Sequence, residues 1–271
     1  MNVSIVTIQM HSSPKVEDNL TWLAQQLSKV ERAEYTLVVL PECFACFGGG
    51  DSAQQMVAED YGNGPIQDFI AHQAKKYNLW IVAGSMPIKC PNTALISAAS
   101  LLFSPDGQCQ ARYNKIHLFD VEVADKTAVY RESATTIAGT EPVVVHTPFA
   151  NIGMSVCYDV RFPELYRLMQ TKGAEIMVIP SAFTHVTGKA HWDVLMRARA
   201  IENQCFIVAA NQTGIHQNGR ETYGHSIVVD PWGEVVHQHG EQSGIRQSEI
   251  DLDRVNQIRR KMPNLQHRKI L

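Results

Sequence analysis

Three residues stand where strands should hand over to loops, and their side chains form a chemically useful set. Glu42 follows Leu37-Val38-Val39-Leu40-Pro41, Lys115 lies just past Ala111-Arg112-Tyr113, and Cys157 closes an apolar run that starts at Ile152. Sheet-based folds gather reactive groups at such places, because a strand fixes the backbone and the loop frees the side chain. The chemistry these three could share is attack on an amide carbonyl. A thiolate is a good nucleophile, but a free cysteine with a pKa of about 8.5 is mostly thiol at neutral pH. A nearby carboxylate can take the thiol proton and later deliver it to the departing amine. An ammonium, with the backbone N–H beside the nucleophile, can hold the oxyanion of the tetrahedral intermediate, worth about 3 kcal/mol per good donor. Each residue alone also reads blandly, as a solvated loop Glu, a core Cys and a surface Lys. A cysteine–histidine pairing through His185 or His225 is the competing arrangement.

The elements that must position this set alternate between strand and helix. Residues 3–9, 37–40, 80–84, 152–157, 175–179 and 206–210 read as strands. Residues 16–30, 65–77, 163–172 and 192–203 carry apolar side chains at helical spacing, with Pro163 opening one helix and Gly173 just past its end. The two halves can be laid on each other. Residues 37–42 resemble 176–181, residues 80–84 resemble 206–210, and the hairpin signal at 101–107 resembles that at 227–233. An internal repeat of this kind predicts two similar sheets, each packing helices on one face and its partner sheet on the other. The expected fold is an α/β, four-layer α-β-β-α sandwich of two mixed sheets. With no Pro/Ser-rich linker, it forms one domain over residues 1–271.

Composition narrows the partners. Of 271 residues, 45% are hydrophobic and 19% charged, and 24 basic against 27 acidic residues leave a net charge of −3. That balance gives no electrostatic reason to expect nucleic acid or an anionic membrane. No apolar run reaches the roughly 18 residues of a membrane span, and residues 1–10 read as a strand rather than a secretory signal, so a cytoplasmic location is expected. The six cysteines then read as free thiols.

The residues around the three candidates carry a resemblance. Leu40-Pro41-Glu42, Asn114-Lys115-Ile116-His117-Leu118-Phe119 and the segment from Ser155 through Cys157-Tyr158-Asp159-Val160-Arg161-Phe162-Pro163-Glu164-Leu165 are similar to the signatures of the nitrilase superfamily of carbon–nitrogen hydrolases. The likeness runs essentially end to end. Pro180-Ser181-Ala182-Phe183-Thr184, Arg197-Ala198-Arg199-Ala200-Ile201-Glu202 and Tyr223-Gly224-His225-Ser226 resemble its Nit branch. The resemblance implies the same sandwich, no metal or organic cofactor, and a homodimer or higher homo-oligomer. It implies Glu42 as general base, Lys115 as oxyanion-stabilising cation and Cys157 as nucleophile. It also implies a second glutamate, for which Glu132 in Tyr130-Arg131-Glu132-Ser133 fits better than Glu122. Tyr158, Arg161, Phe183, Thr184 and His191 are the candidate substrate-binding residues, Arg161 through a bidentate contact to a carboxylate. The implied substrate is a small linear amide bearing a carboxylate, of the deaminated glutathione kind, with ω-amides of 2-oxo acids such as α-ketoglutaramate as the alternative. A non-catalytic binding protein on the same fold is the reading from another class.

Other motifs have milder expectations. Cys43-Phe44-Ala45-Cys46 matches a redox or zinc spacing without a second ligand pair, and reads better as two reduced loop thiols. Gly48-Gly49-Gly50 lacks the Lys-Ser/Thr of a phosphate loop and reads as a turn near the site, in a Cys- and Gly-rich loop that runs to residue 51. Asp159 and Glu164 are expected to brace the nucleophile turn, Arg199 and Glu202 to pair along one helix face, and Tyr223 with His225 either to face the pocket or to cap the sheet.

Overall fold

The structure, a computed structural model, describes residues 1–50 and 52–270. Asp51, the last residue of the Cys- and Gly-rich loop, lies outside the described residues. The first half runs β1 (Asn2–Gln9), α1 (Val16–Leu27), β2 (Thr36–Val39), the single turn α2 (Ala53–Met56), α3 (Pro65–Tyr77), β3 (Trp80–Val82), β4 (Met86–Lys89), β5 (Ile96–Phe103) and β6 (Cys109–Asn114). A small hairpin, β7 (Asp120–Glu122) and β8 (Val129–Arg131), leads into the second half. There follow β9 (Val143–His146), β10 (Asn151–Met154), α4 (Pro163–Thr171), β11 (Ile176–Val178), α5 (His185–Asn203) and β12 (Phe206–Ala209). A second small hairpin, β13 (Thr213–Ile215) and β14 (Glu221–Tyr223), precedes β15 (Ile227–Val229), β16 (Val235–Gln238), β17 (Gly244–Asp251) and α6 (Asp253–Lys261).

Seven strands form one sheet, in the order β17-β1-β2-β3-β5-β4 with β6 also on β5, and six form the other, β16-β15-β12-β11-β10-β9. The repeat seen in the sequence is repeated in the topology. β1-β2-β3 are parallel and followed by antiparallel β5, and β10-β11-β12 are parallel and followed by antiparallel β15. Strand periodicity sorts the side chains. Leu37 and Val39 join the core shared with the second sheet, whereas Val38 and Leu40 pack with Leu23, Leu27, Ile66 and Ile70 of α1 and α3. The second sheet is covered on its outer face by α4 and α5, through Tyr166, Met169, Trp192 and Met196. These are the four layers of the expected sandwich.

Three boundaries differ most from the sequence reading, by three residues or more. α5 begins seven residues earlier than expected, because the Thr184 hydroxyl accepts the Thr187 N–H and caps it. The helix carries Gly188 in its first turns, where the Tyr223 ring fills the space a side chain would take. β10 ends at Met154, so Cys157 opens a 3₁₀ turn (Cys157–Arg161) instead of finishing a strand. α1 stops at Leu27 instead of residue 30.

Candidate active site

The chain delivers Glu42 by a close approach of two strand ends. Leu40 N–H donates to the Val82 carbonyl at 3.0 Å, and Gly84, at φ +39°, lies so near Pro41 that a Cβ there would collide with the Pro41 carbonyl oxygen. Only glycine fits that position. Lys115 leaves β6 with its backbone pinned at both ends, its N–H to Ala98 O at 2.9 Å and its carbonyl accepting Gly139 N–H at 2.8 Å. Cys157 has φ +48°, the left-handed region that costs a non-glycine residue about 1–2 kcal/mol. Its N–H donates to Pro180 O at 2.8 Å, which helps hold the strained turn.

The side chains meet in one buried cluster. The Lys115 ammonium is 2.7 Å from Glu42 Oε1, and 3.0 and 2.8 Å from Glu132 Oε1 and Oε2. Glu42 Oε2 accepts the Ala182 N–H at 2.9 Å, and Glu132 Oε2 accepts the Phe119 N–H at 2.7 Å. Lys115 is 2% exposed and Glu42 and Cys157 each 6%, so their charges interact through little water. Burial alone would push the Glu42 carboxyl up. The Lys115 charge and hydrogen bond, with help from Cys157 and Arg220, outweigh it and hold Glu42 below its ordinary 4.5. Burial likewise works against the Lys115 charge, but Glu132, Glu42 and Cys157 raise it well above its usual value. Burial and the neighbouring Glu42 push the Cys157 thiol well up, against the opposing pull of Lys115 and the Ala182 N–H. The resting arrangement is therefore thiol, carboxylate and ammonium.

One buried carboxylate ties the nucleophile turn to the Lys115 segment. Asp159 accepts Val156 N–H at 2.8 Å, Tyr113 O–H at 2.7 Å and His117 N–H at 3.0 Å, with His117 Nδ1 at 2.7 Å. The His117 ring stacks on Phe162, centroids 3.6 Å apart. From the other side, Arg199 Nε donates to Val160 O at 2.9 Å while its Nη1 pairs with Glu202 at 2.8 Å. Glu164, expected to share the bracing, instead stands exposed on the first turn of α4.

The cluster forms one wall of a cavity of about 500 Å³. Glu42, Lys115, Glu132 and Cys157 all line it, as do Tyr158, Arg161, Phe183 and Thr184. Cys43, Gly48, Gly49 and Gly50 line it as well. His191 is the exception among the candidates. It is exposed, outside the lining, with Nδ1 3.2 Å from Arg161 Nη1, because α5 turns it toward Arg161 on the outer face. Glu122 is exposed on β7, and Glu132 alone of the two reaches Lys115. Among the described residues no histidine lines the cavity; His185 sits 3.7 Å from Glu221, and His225 stacks on Tyr223. Tyr223 and His225 thus stand outside the cavity lining. Cys46 N–H bonds to Cys43 O at 3.2 Å in a simple turn, and no group of three or more metal-binding side chains occurs among the described residues. Sequence reasoning missed Arg220, Tyr130 and Asn218, which also line the cavity. Asn218-Gly219 is a legible turn signal, but nothing local says that the turn between β13 and β14 reaches the cavity.

Fold and site together define a nitrilase-like α-β-β-α enzyme, and comparison places the chain within it. Residues 3–260 match the carbon-nitrogen hydrolase family. The chain is 41% identical, over 100% of its length and 94% of the relative's, to deaminated glutathione amidase of Yersinia enterocolitica. The solved structure of Saccharomyces cerevisiae Nit3, a member of branch 10 of the nitrilase superfamily, superposes with a TM-score of 0.89 at 32% identity, covering 99% of this chain and 97% of that one. The Caenorhabditis elegans NitFhit protein superposes with a TM-score of 0.91 at 40% identity, covering 99% of this chain and 65% of that longer one. The chain belongs to the carbon-nitrogen hydrolase family and is a hydrolase of C–N bonds other than peptide bonds.

Proposed function

We propose that this chain is an amidase that cleaves a small linear amide bearing a carboxylate, deaminated glutathione foremost, through a thioester on Cys157. The observation that carries the reading is the buried Glu42–Lys115–Glu132 cluster sharing a cavity with Cys157. Glu42 takes the thiol proton as Sγ bonds to the carbonyl carbon, and the electron pair moves to oxygen. Lys115 and the Tyr158 N–H stabilise that oxyanion. Collapse of the intermediate breaks the C–N bond, and Glu42 returns its proton to the amine. Water then attacks the thioester, yields its proton to Glu42, and releases the carboxylic acid and the thiol. Glu132 keeps Lys115 charged and aimed. The name of the bacterial relative supports deaminated glutathione, and an ω-amide of a 2-oxo acid is the second member of the class. Six free thiols fit the expected cytoplasmic location, and a homodimer rests on the resemblance to the Nit branch.

The test is intact-mass spectrometry of the protein and of Glu42→Gln after incubation with deaminated glutathione, α-ketoglutaramate and neutral amides. The expected result is turnover by the wild type and an acyl mass increment on Cys157. Absence of both with every amide overturns the reading.

A further inference from the structure

The charges lining the cavity pose a problem for a substrate that carries a carboxylate. Glu42 and Glu132 surround the one ammonium of Lys115, so the cluster sums to minus one while Cys157 is a thiol. A second anion entering a low-dielectric space beside it is repelled unless a cation stands apart from the cluster. Three guanidinium groups line the cavity: Arg131 is exposed, Arg161 spends one nitrogen on His191, and Arg220 projects from the β13–β14 turn. Arg220 has no acidic partner within salt-bridge distance among the described residues. Its Nη2 donates to Ala182 O at 2.9 Å, the residue whose N–H holds Glu42. Its Nε is buried without any acceptor. Its Cζ lies 4.9 Å from the Phe47 ring centroid and 5.0 Å from that of Tyr130, so two aromatic rings grip the guanidinium. A half-buried cation held between two rings, with a dry Nε and no counter-ion, is a pre-organised anion receptor.

We propose that Arg220 is the specificity-determining residue that receives the substrate carboxylate in the cavity. The inference rests on the amidase reading for its substrate class, but carboxylate binding is measurable without turnover. The Phe47–Arg220–Tyr130 stack fixes the guanidinium plane, and the loop carrying Phe47 is held by His216, whose ring meets Phe47 edge-on at 4.4 Å. Lysine in place of Arg220 keeps the charge and loses both the planar fork and the stacking.

The experiment compares the wild type with Arg220→Gln and Arg220→Lys in two assays. The first is kcat/KM for glutaric acid monoamide and for pentanamide, two amides of equal length that differ in the distal carboxylate. In Arg220→Gln the ratio of the two should fall by at least about 30-fold, the size expected for a hydrogen-bonded charge contact, mainly through KM for the acid. Arg220→Lys should recover part of it. The ratio cancels any common effect of the lost charge on Glu42. The second assay is calorimetric titration with 2-oxoglutarate, which needs no catalysis, and should show a matching loss of affinity. An unchanged ratio or an unchanged affinity in Arg220→Gln overturns the assignment, whatever the absolute rates do. If no amide is turned over but affinity for the dicarboxylate falls in the variant, the receptor stands and the amidase reading falls.

Discussion

The two halves of the molecule use one topology for different work. In the first, β2 ends in Pro41-Glu42 and the β5–β6 hairpin ends at Lys115, so this half supplies the charges. In the second, β11 ends in Pro180-Ser181, and the same corner offers only backbone: Pro180 O holds Cys157 N–H, and Ala182 N–H holds Glu42. The thiol itself comes from beyond β10, whose counterpart β1 runs on to Met10 and His11. Ser181, the counterpart of Glu42, is fully buried and donates its hydroxyl to Ile179 O at 3.1 Å. Gly84 in one half, needed where Pro41 presses close, is Ala210 in the other. The difference teaches that the repeat builds the frame, while the chemistry depends on breaking the symmetry at the strand ends.

The largest test of that asymmetry sets equivalent positions against each other. Cys157→Ala should abolish turnover, and Glu42→Gln should cut kcat by at least about 1,000-fold, since the thiol then has no base. Ser181→Ala should change kcat/KM by less than about threefold and leave thermal unfolding nearly unchanged. Steady-state kinetics and calorimetry decide it; a loss in Ser181→Ala comparable to that in Glu42→Gln would show that the two corners are functionally alike.

How much of this was legible in the chain follows from the same contrast. The sandwich could be read because apolar strands and amphipathic helices recur in the same order in both halves, and burial enforces both periods. The clustered trio could be located because each member sits within one to three residues of a strand end. The origin of Cys157 in a 3₁₀ turn was not legible, since its positive φ depends on the Pro180 carbonyl from another strand. Arg220 was missed for a related reason. Its partners Phe47, Tyr130 and Ala182 are 173, 90 and 38 residues away in sequence, and no local period encodes such a meeting. His191 was misplaced because helical spacing fixes which face a residue occupies only once the start of α5 is known.

A middle-sized effect is expected at the joint between the halves' contributions. Asp159 comes from the nucleophile turn and holds Tyr113 and His117 from the segment that carries Lys115. Asp159→Asn keeps the shape but removes the charge that four contacts share, and one amide N–H then faces Val156 or His117 N–H. Loss of a buried hydrogen bond to a charged group costs about 1.5–3 kcal/mol. The expected outcome is a kcat lower by roughly 10- to 100-fold with KM little changed. Rates equal to wild type would mean that the turn holds Cys157 without help from the first half.

The smallest effect concerns how the halves stay together in acid. His237 and His239, of β16 and the loop after it, both meet Thr7 Oγ1 of β1, at 2.8 and 3.0 Å, and His237 Nδ1 is 2.8 Å from Ser248 Oγ of β17. His216, beyond β13, contacts Ser12 O at 3.1 Å. Burial lowers all three imidazoles to about 4, with Arg246 adding to the effect at His237 and His239 and with His237 also acting on His239. Because the folded pKa lies below the unfolded 6.5, the unfolded chain binds more protons between those values. Stability is therefore complete above pH 6.5 and falls as the pH drops toward 4. Glu42, with its carboxyl below 4.5, adds its own loss only at the acidic end of that window. Thermal melts should fall progressively from pH 6.5 to 4.5, and His237→Gln with His239→Gln should flatten the slope. If the double variant melts with the wild-type slope, the histidine seam between β1 and β16 does not govern acid stability, and the halves are coupled chiefly through their shared apolar core.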